Sequence, residues 1–318
     1  MTISRTCFCL VLQIAILLGI ALQSARAEAL PVRIGAWNLE HLGSRTTPQR
    51  TNSDMNSLAS QIRELDVSVL AVSEVNGWRS LKDLAQRIGP NWDGVLGRSG
   101  FIGGKPPKQL GVGFLWDTNR LEIISATDWK SLPRRQDGLH IFHRVPVSAC
   151  FRAVDGGPDF RLVAVHLKAG FEPSDRNKRL IELEKIKRRL EELKQTPGED
   201  TDIAVVGDFN HGYSSPEHNT LSKSGFATYL SPPHPTSSII HFDEQIDHIV
   251  PLTGFEEVRQ NTFRIPGQDT PHDKTAWQAA YSDHYPVVVE LDPTPDDDPD
   301  ATFSPPEAPL RPLSQFHD

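Results

Sequence analysis

The chain alternates short apolar runs with amphipathic segments, and this alternation limits it to folds that combine sheets with helices. Continuous apolar runs at residues 67–72 and 203–206 are typical of buried strands. Residues 53–65 carry apolar side chains at helical spacing, and residues 174–195 repeat that pattern over a longer stretch. The sequence therefore predicts an α/β protein and disfavours an all-helical one.

The first 27 residues have the layout of a secretory signal peptide. Arg5 precedes the apolar run 7–22, and Ala25-Arg26-Ala27 supplies a small-residue cleavage site. The run is shorter than the roughly 20 apolar residues that cross a bilayer, so no transmembrane anchor is predicted. The mature chain is expected to begin at Glu28 and to be secreted or periplasmic.

Cleavage at that point leaves Cys150 as the one cysteine of the mature chain. It lies in the apolar run 145–154, so we expect a buried strand position. An internal disulfide is then impossible, and the fold must depend on its core.

Composition divides the mature chain at residue 291. Residues 292–318 hold seven acidic residues and seven prolines, which favours an acidic Pro-rich disordered tail. Residues 28–291 are long enough for one large domain. Loss of Arg5 and Arg26 with the signal peptide lowers the net charge from −8 to −10. Any contact with nucleic acid therefore requires a local basic patch.

Six apolar runs are followed by an acid, an amide or an imidazole. Because strand ends open onto the rim of a sheet, such side chains gather from distant parts of a chain into one pocket. The segments are Trp37-Asn38-Leu39-Glu40, Val72-Ser73-Glu74, Val165-His166-Leu167-Lys168, Gly207-Asp208-Phe209-Asn210, Ile246-Asp247-His248 and Tyr281-Ser282-Asp283-His284. Each alone is explained by a turn or a helix cap. Together they predict an active site.

These segments resemble the endonuclease/exonuclease/phosphatase superfamily, and in particular its deoxyribonuclease-I-like nucleases. Gly-Asp-Phe-Asn at 207–210 and Ser-Asp-His-Tyr-Pro at 282–286 carry most of the resemblance, which spans roughly residues 32–291. It implies a two-sheet β-sandwich flanked by helices in four layers (α/β/β/α), with the site at one end of the sheets. It also implies a metal-dependent hydrolase, a phosphodiesterase whose substrate is nucleic acid.

The resemblance also implies a role for each residue near the metal. Glu74 would hold Mg²⁺, with Asn38 and Asp283 on the metal or on its bound waters. His284 would lie beside the scissile phosphate, oriented by Asp247. Mn²⁺ is an alternative metal, and the sequence leaves open whether Ca²⁺ adds a structural site.

Further roles concern the attacking water and the phosphate. Asp208 would position or deprotonate the water, and Asn210 would donate to a phosphate oxygen. His166 corresponds to a second histidine on the leaving-group side. Arg144 resembles the family's phosphate-binding arginine, with a surface ion pair as the alternative. Three more basic side chains are candidates for a basic rim: Lys168, Arg176 and Arg179.

Two departures from deoxyribonuclease-I-like enzymes bear on the substrate. Gln109 stands where those enzymes have an acid that partners the second histidine, and Asn76 stands where they have a groove-contacting arginine. The sequence does not distinguish DNA from RNA. A sphingomyelinase-like or phosphoinositide phosphatase-like lipid hydrolase is the alternative enzyme, and a catalytically dead binding relative is the non-enzymatic one. No obligate protein partner is evident.

Overall fold

The computed structural model describes residues 31–43, 50–99, 110–136, 138–234, 236–268, 273–293, 296–298 and 301–317. The predicted signal peptide and Gln109 lie outside these residues. Among the helices that are described, none is both long enough and apolar enough to cross a membrane.

The described strands form two mixed sheets and one small hairpin. The six-stranded sheet has the order β12-β13-β1-β2-β4-β3 and the five-stranded sheet the order β11-β10-β9-β8-β5. The six-stranded sheet contains β1 (Arg33–Leu42), β2 (Val69–Val75), β3 (Trp92–Leu96), β4 (Gly111–Asp117), β12 (Val258–Arg264) and β13 (Val287–Leu291). The five-stranded sheet contains β5 (Leu121–Asp128), β8 (Val147–Ala153), β9 (Asp159–His166), β10 (Ile203–Asp208) and β11 (Asp247–Pro251). The hairpin pairs β6 (Arg135–Gln136) with β7 (Leu139–His140).

Five α-helices accompany the sheets in the part of the chain that is described. They are α1 (Asn52–Leu65), α2 (Trp78–Ile88), α3 (Pro173–Lys194), α4 (His218–Ser222) and α5 (Lys274–Ala280). Helices α1 and α2 contribute apolar side chains to the cluster that contains the six-stranded sheet, and α3 packs with the five-stranded sheet. The predicted α/β fold with a two-sheet β-sandwich flanked by helices is confirmed.

Strand β10 shows how the pleat divides the core. Ala204 and Val206 belong to the apolar cluster between the sheets, whereas Ile203 and Val205 pack in the cluster that contains α3. Alternate residues of a strand point to opposite faces, so a central strand with helices outside it must be apolar throughout. Cys150 on β8 is buried and free, as the sequence predicts.

Residues 301–317 do not form the disordered tail that their composition predicts. Leu310 N donates to Ala126 O at 2.9 Å, and Thr302 N donates to Gly198 O at 2.9 Å. Leu313 is fully buried in the main core cluster. The expectation of disorder is wrong for these residues because a few well-placed apolar side chains and backbone hydrogen bonds outweigh the acidic, Pro-rich composition.

Candidate active site

Three adjacent strands of the five-stranded sheet place His166, Asp208 and Asp247 in one row. Strand β10 pairs in parallel with β9 and antiparallel with β11, so Asp208 lies opposite His166 on one side and Asp247 on the other. Directly paired residues point to the same face of a sheet. All three side chains are buried. Strand register therefore brings together residues that are far apart in the sequence.

Gly207 makes this row possible. Its φ is +130°, and a Cβ at that position would lie 2.2 Å from the carbonyl oxygen of Val165 on β9. Glycine alone combines this backbone conformation with such a close approach. The glycine of Gly-Asp-Phe-Asn thus has a steric role beside the candidate catalytic residues.

Bulges in the six-stranded sheet present Asn38 and Glu74 to the same place. The pairing of β1 with β2 shifts register between Asn38 and Leu42, and the pairing of β2 with β4 shifts between Val72 and Val75. Four of the six non-glycine residues with positive φ in the described chain lie here: Glu40, His41, Glu74 and Asn210. Positive φ at such residues costs about 1–3 kcal/mol each and is typically retained at functional sites.

His284 is held between two carboxylates. Its Nδ1 lies 2.7 Å from Asp247 Oδ2, and its Nε2 lies 4.0 Å from Asp208 Oδ2. Burial favours the neutral imidazole, but the charges of Asp247, Asp208 and Asp283 outweigh it and raise the pKa of His284 to about 10. Ser238 Oγ donates to the same oxygen of Asp247 at 2.8 Å, which fixes that carboxylate.

Asp208 accepts two hydrogen bonds at the centre of the site. Asn38 Nδ2 donates to its Oδ2 at 2.9 Å, and Asn210 N donates to its Oδ1 at 2.9 Å. Burial, followed by the charge of Asp247, raises the pKa of Asp208 to about 7. The carboxyl group is therefore able to take up a proton near neutral pH.

His166 occupies the opposite side of Asp208. Its Nε2 lies 3.5 Å from Asp208 Oδ2 and 3.8 Å from Glu74 Oε1. Its buried Nδ1 has no hydrogen-bond partner among the residues that are described. Burial and then the charge of Arg144 lower the pKa of His166 well below its usual value, so this imidazole is neutral.

Arg144 is fixed at the end of β9. Its Nε donates to His166 O at 3.0 Å and its Nη2 to Leu167 O at 2.9 Å. These bonds leave other guanidinium donors for a substrate, and the alternative surface ion pair is not seen within the described chain. The prediction for Arg179 as part of a basic rim is wrong, because this buried side chain pairs with Glu217 at 3.0 Å. Lys168 is paired with Asp175 at 2.8 Å, and Arg176 is exposed.

The donors fit a hard divalent cation. Asp208, Asp247 and His284 offer ligand atoms within 4.8 Å of one another. Glu74 joins this group through Asn38, whose Nδ2 lies 3.3 Å from Glu74 Oε1, and Asp283 Oδ1 lies 3.9 Å from His284 Nε2. Because His284 is protonated beside Asp247, the donors that suit such an ion are the carboxylates and the Asn38 amide, with no thiolate among them. The buried Asp247 Oδ1 also lacks a hydrogen-bond partner in the described part of the chain.

Sequence reasoning missed two side chains that support the site. Glu40 Oε2 accepts from Asp283 N at 3.2 Å, and its Oε1 accepts from Gln278 Nε2 at 2.7 Å. His41 Nε2 lies 3.0 Å from Glu74 Oε2. Both follow Asn38 within three residues, so the bulge that turns them toward the site was the missing information.

Comparison with known proteins agrees with this geometry. The model of the Endonuclease/Exonuclease/phosphatase family matches residues 35–284. The chain belongs to this family, whose members are typically hydrolases that act on phosphoester bonds and usually use a divalent metal.

Individual relatives are more distant. Endonuclease/exonuclease/phosphatase family domain-containing protein 1 of Bos taurus is 26% identical over 82% of this chain and 49% of its own length. The chain thus spans about half the length of the curated relatives it matches. The mannosyl-6-phosphatase Bt3783 of Bacteroides thetaiotaomicron has a TM-score of 0.56 at 17% identity, over 82% of this chain and 99% of that one. D. rerio TDP2, solved with a single-strand DNA product, has a TM-score of 0.58 at 12% identity, over 83% and 99% of the two chains.

Proposed function

We propose that the protein is an exported, Mg²⁺-dependent phosphodiesterase that cleaves nucleic acid. One observation carries the proposal: the His284–Asp247 pair faces Asp208 in a buried row whose far side is a second, neutral histidine, His166. Hydrolysis of a phosphodiester needs a group that activates water, a charge that stabilises the phosphoryl oxygens and assistance to the departing alkoxide. The row supplies a residue for each task.

The protonation states assign the tasks. Asp208, with a pKa of about 7, accepts the proton of the attacking water. His284 stays protonated beside Asp247 and offers a charged N–H donor to a phosphoryl oxygen. His166 is neutral and donates an N–H hydrogen bond that stabilises the leaving oxygen as the P–O bond breaks, and this oxygen takes its proton from solvent. Asn210 donates to the phosphoryl oxygen that gains charge in the transition state.

Glu74, Asn38 and Asp283 would hold Mg²⁺, with Mn²⁺ as the alternative. When bound there, the ion neutralises negative charge that develops on the phosphoryl group. The donor chemistry supports this assignment, because Glu74 and Asp283 offer carboxylate oxygens and Asn38 an amide oxygen, which a hard divalent cation prefers.

An exposed aromatic pair supports a substrate with bases. Phe171 is 72% exposed, and its ring lies edge-on to that of Phe242 with centroids 5.6 Å apart. Phe171 follows His166 by five residues, and Phe242 follows His241, whose Nε2 lies 3.6 Å from Asp283 Oδ2. From these neighbours we infer that the pair borders the active site. Stacking of one base on such a ring contributes about 1–3 kcal/mol to the free energy of binding.

A local basic patch also supports a polyanionic substrate. Arg134 and Arg135 are exposed at the β6–β7 hairpin. After burial, their charges and that of Lys178 lower the pKa of His140, which places these cations near one another. The imidazole of His140 stacks on that of His143 at 4.3 Å, next to Arg144 in the sequence. This patch supplies backbone phosphate contacts that the overall negative charge would otherwise oppose.

The proposal is tested with purified protein on a panel of single-stranded and double-stranded DNA, RNA, lipid phosphodiesters and sugar phosphates. We expect Mg²⁺-dependent cleavage of nucleic acid, abolished by EDTA and restored by Mg²⁺. Asp208→Ala and His284→Ala should abolish turnover of both oligonucleotides and bis-p-nitrophenyl phosphate. Activity that survives both substitutions contradicts the site, and turnover of lipid or sugar phosphates alone contradicts the nuclease.

Phe171→Ala separates base recognition from chemistry. We expect a lower kcat/KM for oligonucleotides and an unchanged rate with bis-p-nitrophenyl phosphate, which has no nucleobase. Phe171→Trp is the matched control and should retain oligonucleotide cleavage. An equal loss on both substrates would show that Phe171 supports the folded structure and does not recognise bases.

Export is tested separately. The full chain, expressed with a C-terminal tag, should be recovered outside the cytoplasm with Glu28 as its first residue, as read by N-terminal sequencing. Recovery of an uncleaved cytoplasmic chain contradicts this part of the proposal.

A further inference from the structure

A second group of acidic side chains lies at the other end of β10 from the active site. Asp202 immediately precedes β10, and its ligand atom and those of Asp296, Asp297 and Asp298 lie within 4.8 Å of one another. Asp208 is six residues further along the strand, about 20 Å away at about 3.3 Å per residue. The group is therefore separate from the active site.

Asp202 is buried without a hydrogen-bond donor. It is 1% exposed, and its side-chain contact is with another carboxyl group, that of Glu257, so no N–H donates to its oxygens in the part of the chain that is described. Asp200 is fully buried too, with one oxygen accepting from Asp202 N at 2.7 Å and the other without a partner. A buried carboxylate that lacks donors is costly unless a cation compensates it. Burial and then the charge of Glu257 raise the pKa of Asp202 to about 10.

The arginines on β9, which pairs with β10, and on β8, which pairs with β9, form ion pairs with other acids. Arg152 on β8 pairs with Asp159 at 2.6 Å, and Arg161 on β9 forms a buried pair with Glu199. Ion pairs to Asp202 are absent from the described residues. Without a cation the carboxyl group of Asp202 keeps its proton at neutral pH, and a bound cation would replace that proton.

We infer that Asp202, Asp296, Asp297 and Asp298 bind a Ca²⁺ ion that fastens the acidic segment to the start of β10. Four carboxylates without imidazole or thiolate suit a hard cation. Ca²⁺ takes six to eight oxygen ligands in variable geometry, whereas Mg²⁺ requires a strict octahedron and keeps its waters. Asp297 is exposed and Asp202 is buried, so ligands would reach the ion from both the surface and the interior.

The inference does not depend on the proposed function, and its test uses binding and not activity. Hydrogen exchange of the full chain, followed by mass spectrometry, is measured with and without CaCl₂. We expect Ca²⁺ to slow exchange in peptides that cover residues 200–204 and 296–298. Protection confined to peptides that cover 208–212 and 283–285 would place the ion at the active site and overturn the inference.

Two substitutions keep the test decisive. Asp202→Asn preserves shape and should weaken Ca²⁺ binding, measured by titration calorimetry, at least about tenfold. Asp297 is at the surface, so Asp297→Asn should not impair folding. This substitution should also weaken Ca²⁺ binding. Glu64→Gln, an exposed acid on α1, is the matched control and should bind as the unsubstituted chain does. Unchanged affinity in both Asp variants, or equal protection by Mg²⁺, contradicts the calcium site.

Discussion

His284 Nδ1 lies 2.7 Å from Asp247 Oδ2, and the Ser238 hydroxyl donates to that same oxygen at 2.8 Å. The carboxylate fixes which imidazole nitrogen faces it and leaves Nε2 toward Asp208. It also offsets the effect of burial on the imidazole, because burial alone lowers the pKa of His284. The charge on His284 is thus set by a residue 37 positions earlier in the chain.

Asp247→Asn should lower the pKa of His284 and reduce kcat. The carboxylate is the main group that raises this pKa from its usual value to about 10, and loss of one donor that stabilises transition-state charge costs about 10²–10³-fold in rate. Imidazole titration by NMR and steady-state kinetics measure the two effects. Asp243→Asn, an exposed acid in the preceding loop, is the control. An unchanged His284 pKa would contradict the pairing.

His166→Ala should lower kcat/KM by a factor that does not change with pH. The imidazole of His166 is neutral because burial and then Arg144 hold its pKa well below the usual value, so it does not titrate between about pH 6 and pH 8. Full pH–rate profiles of the unsubstituted protein and of His166→Ala provide the ratio of their kcat/KM values at each pH. A ratio that rises or falls steeply across this range would show that His166 changes charge during turnover.

Glu182 on α3 should make the protein less stable as the pH rises from about 4.5 to about 7. Burial raises the pKa of this carboxyl from 4.5 to about 7, so the folded state binds its proton more tightly than the unfolded state does. The resulting stabilisation, about 3 kcal/mol at most, is complete below pH 4.5 and is lost as pH passes 7. Chemical denaturation of Glu182→Gln should show a smaller decline over this range. Glu184→Gln, exposed on the same helix, should behave as the unsubstituted chain does.

Leu313→Ala should lower the free energy of unfolding by about 2–5 kcal/mol, the usual cost of truncating a buried leucine. Leu313 is fully buried in the main core cluster. Thermal or urea unfolding measures the loss. Gln315→Ala tests an exposed position in the same 3₁₀ turn and should have little effect. Equal stability of both variants would mean that residues 301–317 add nothing to the core.

Local patterns predicted the strands that carry the site, because apolar runs followed by His166, Asp208 and Asp247 are visible in the sequence itself. The row that these residues form depends on pairing between strands, which no local pattern contains. The bulges at Asn38 and Glu74 were invisible for the same reason. Arg179 was misassigned because its partner, Glu217, is 38 positions away.

The tail was misread for a related physical reason. Composition averages over 27 residues, whereas Leu313 is placed by the hydrogen bonds that position its neighbours. Arg98 Nη1 and Nη2 donate to the carbonyl oxygens of Ala308 and Pro309 at 3.1 and 2.9 Å. Acidic and Pro-rich segments can therefore be ordered when a preformed sheet edge and a few donors accept them.

The row of His166, Asp208 and Asp247 makes enzymatic turnover a measure of folding yield. A slip of β10 by one residue against either neighbour would turn the Asp208 side chain to the opposite face of the sheet. A chain misassembled in this way retains compactness and secondary structure but loses the carboxylate that we propose activates the attacking water. In a refolded preparation, specific activity should therefore count correctly assembled molecules that circular dichroism cannot tell from their misassembled counterparts.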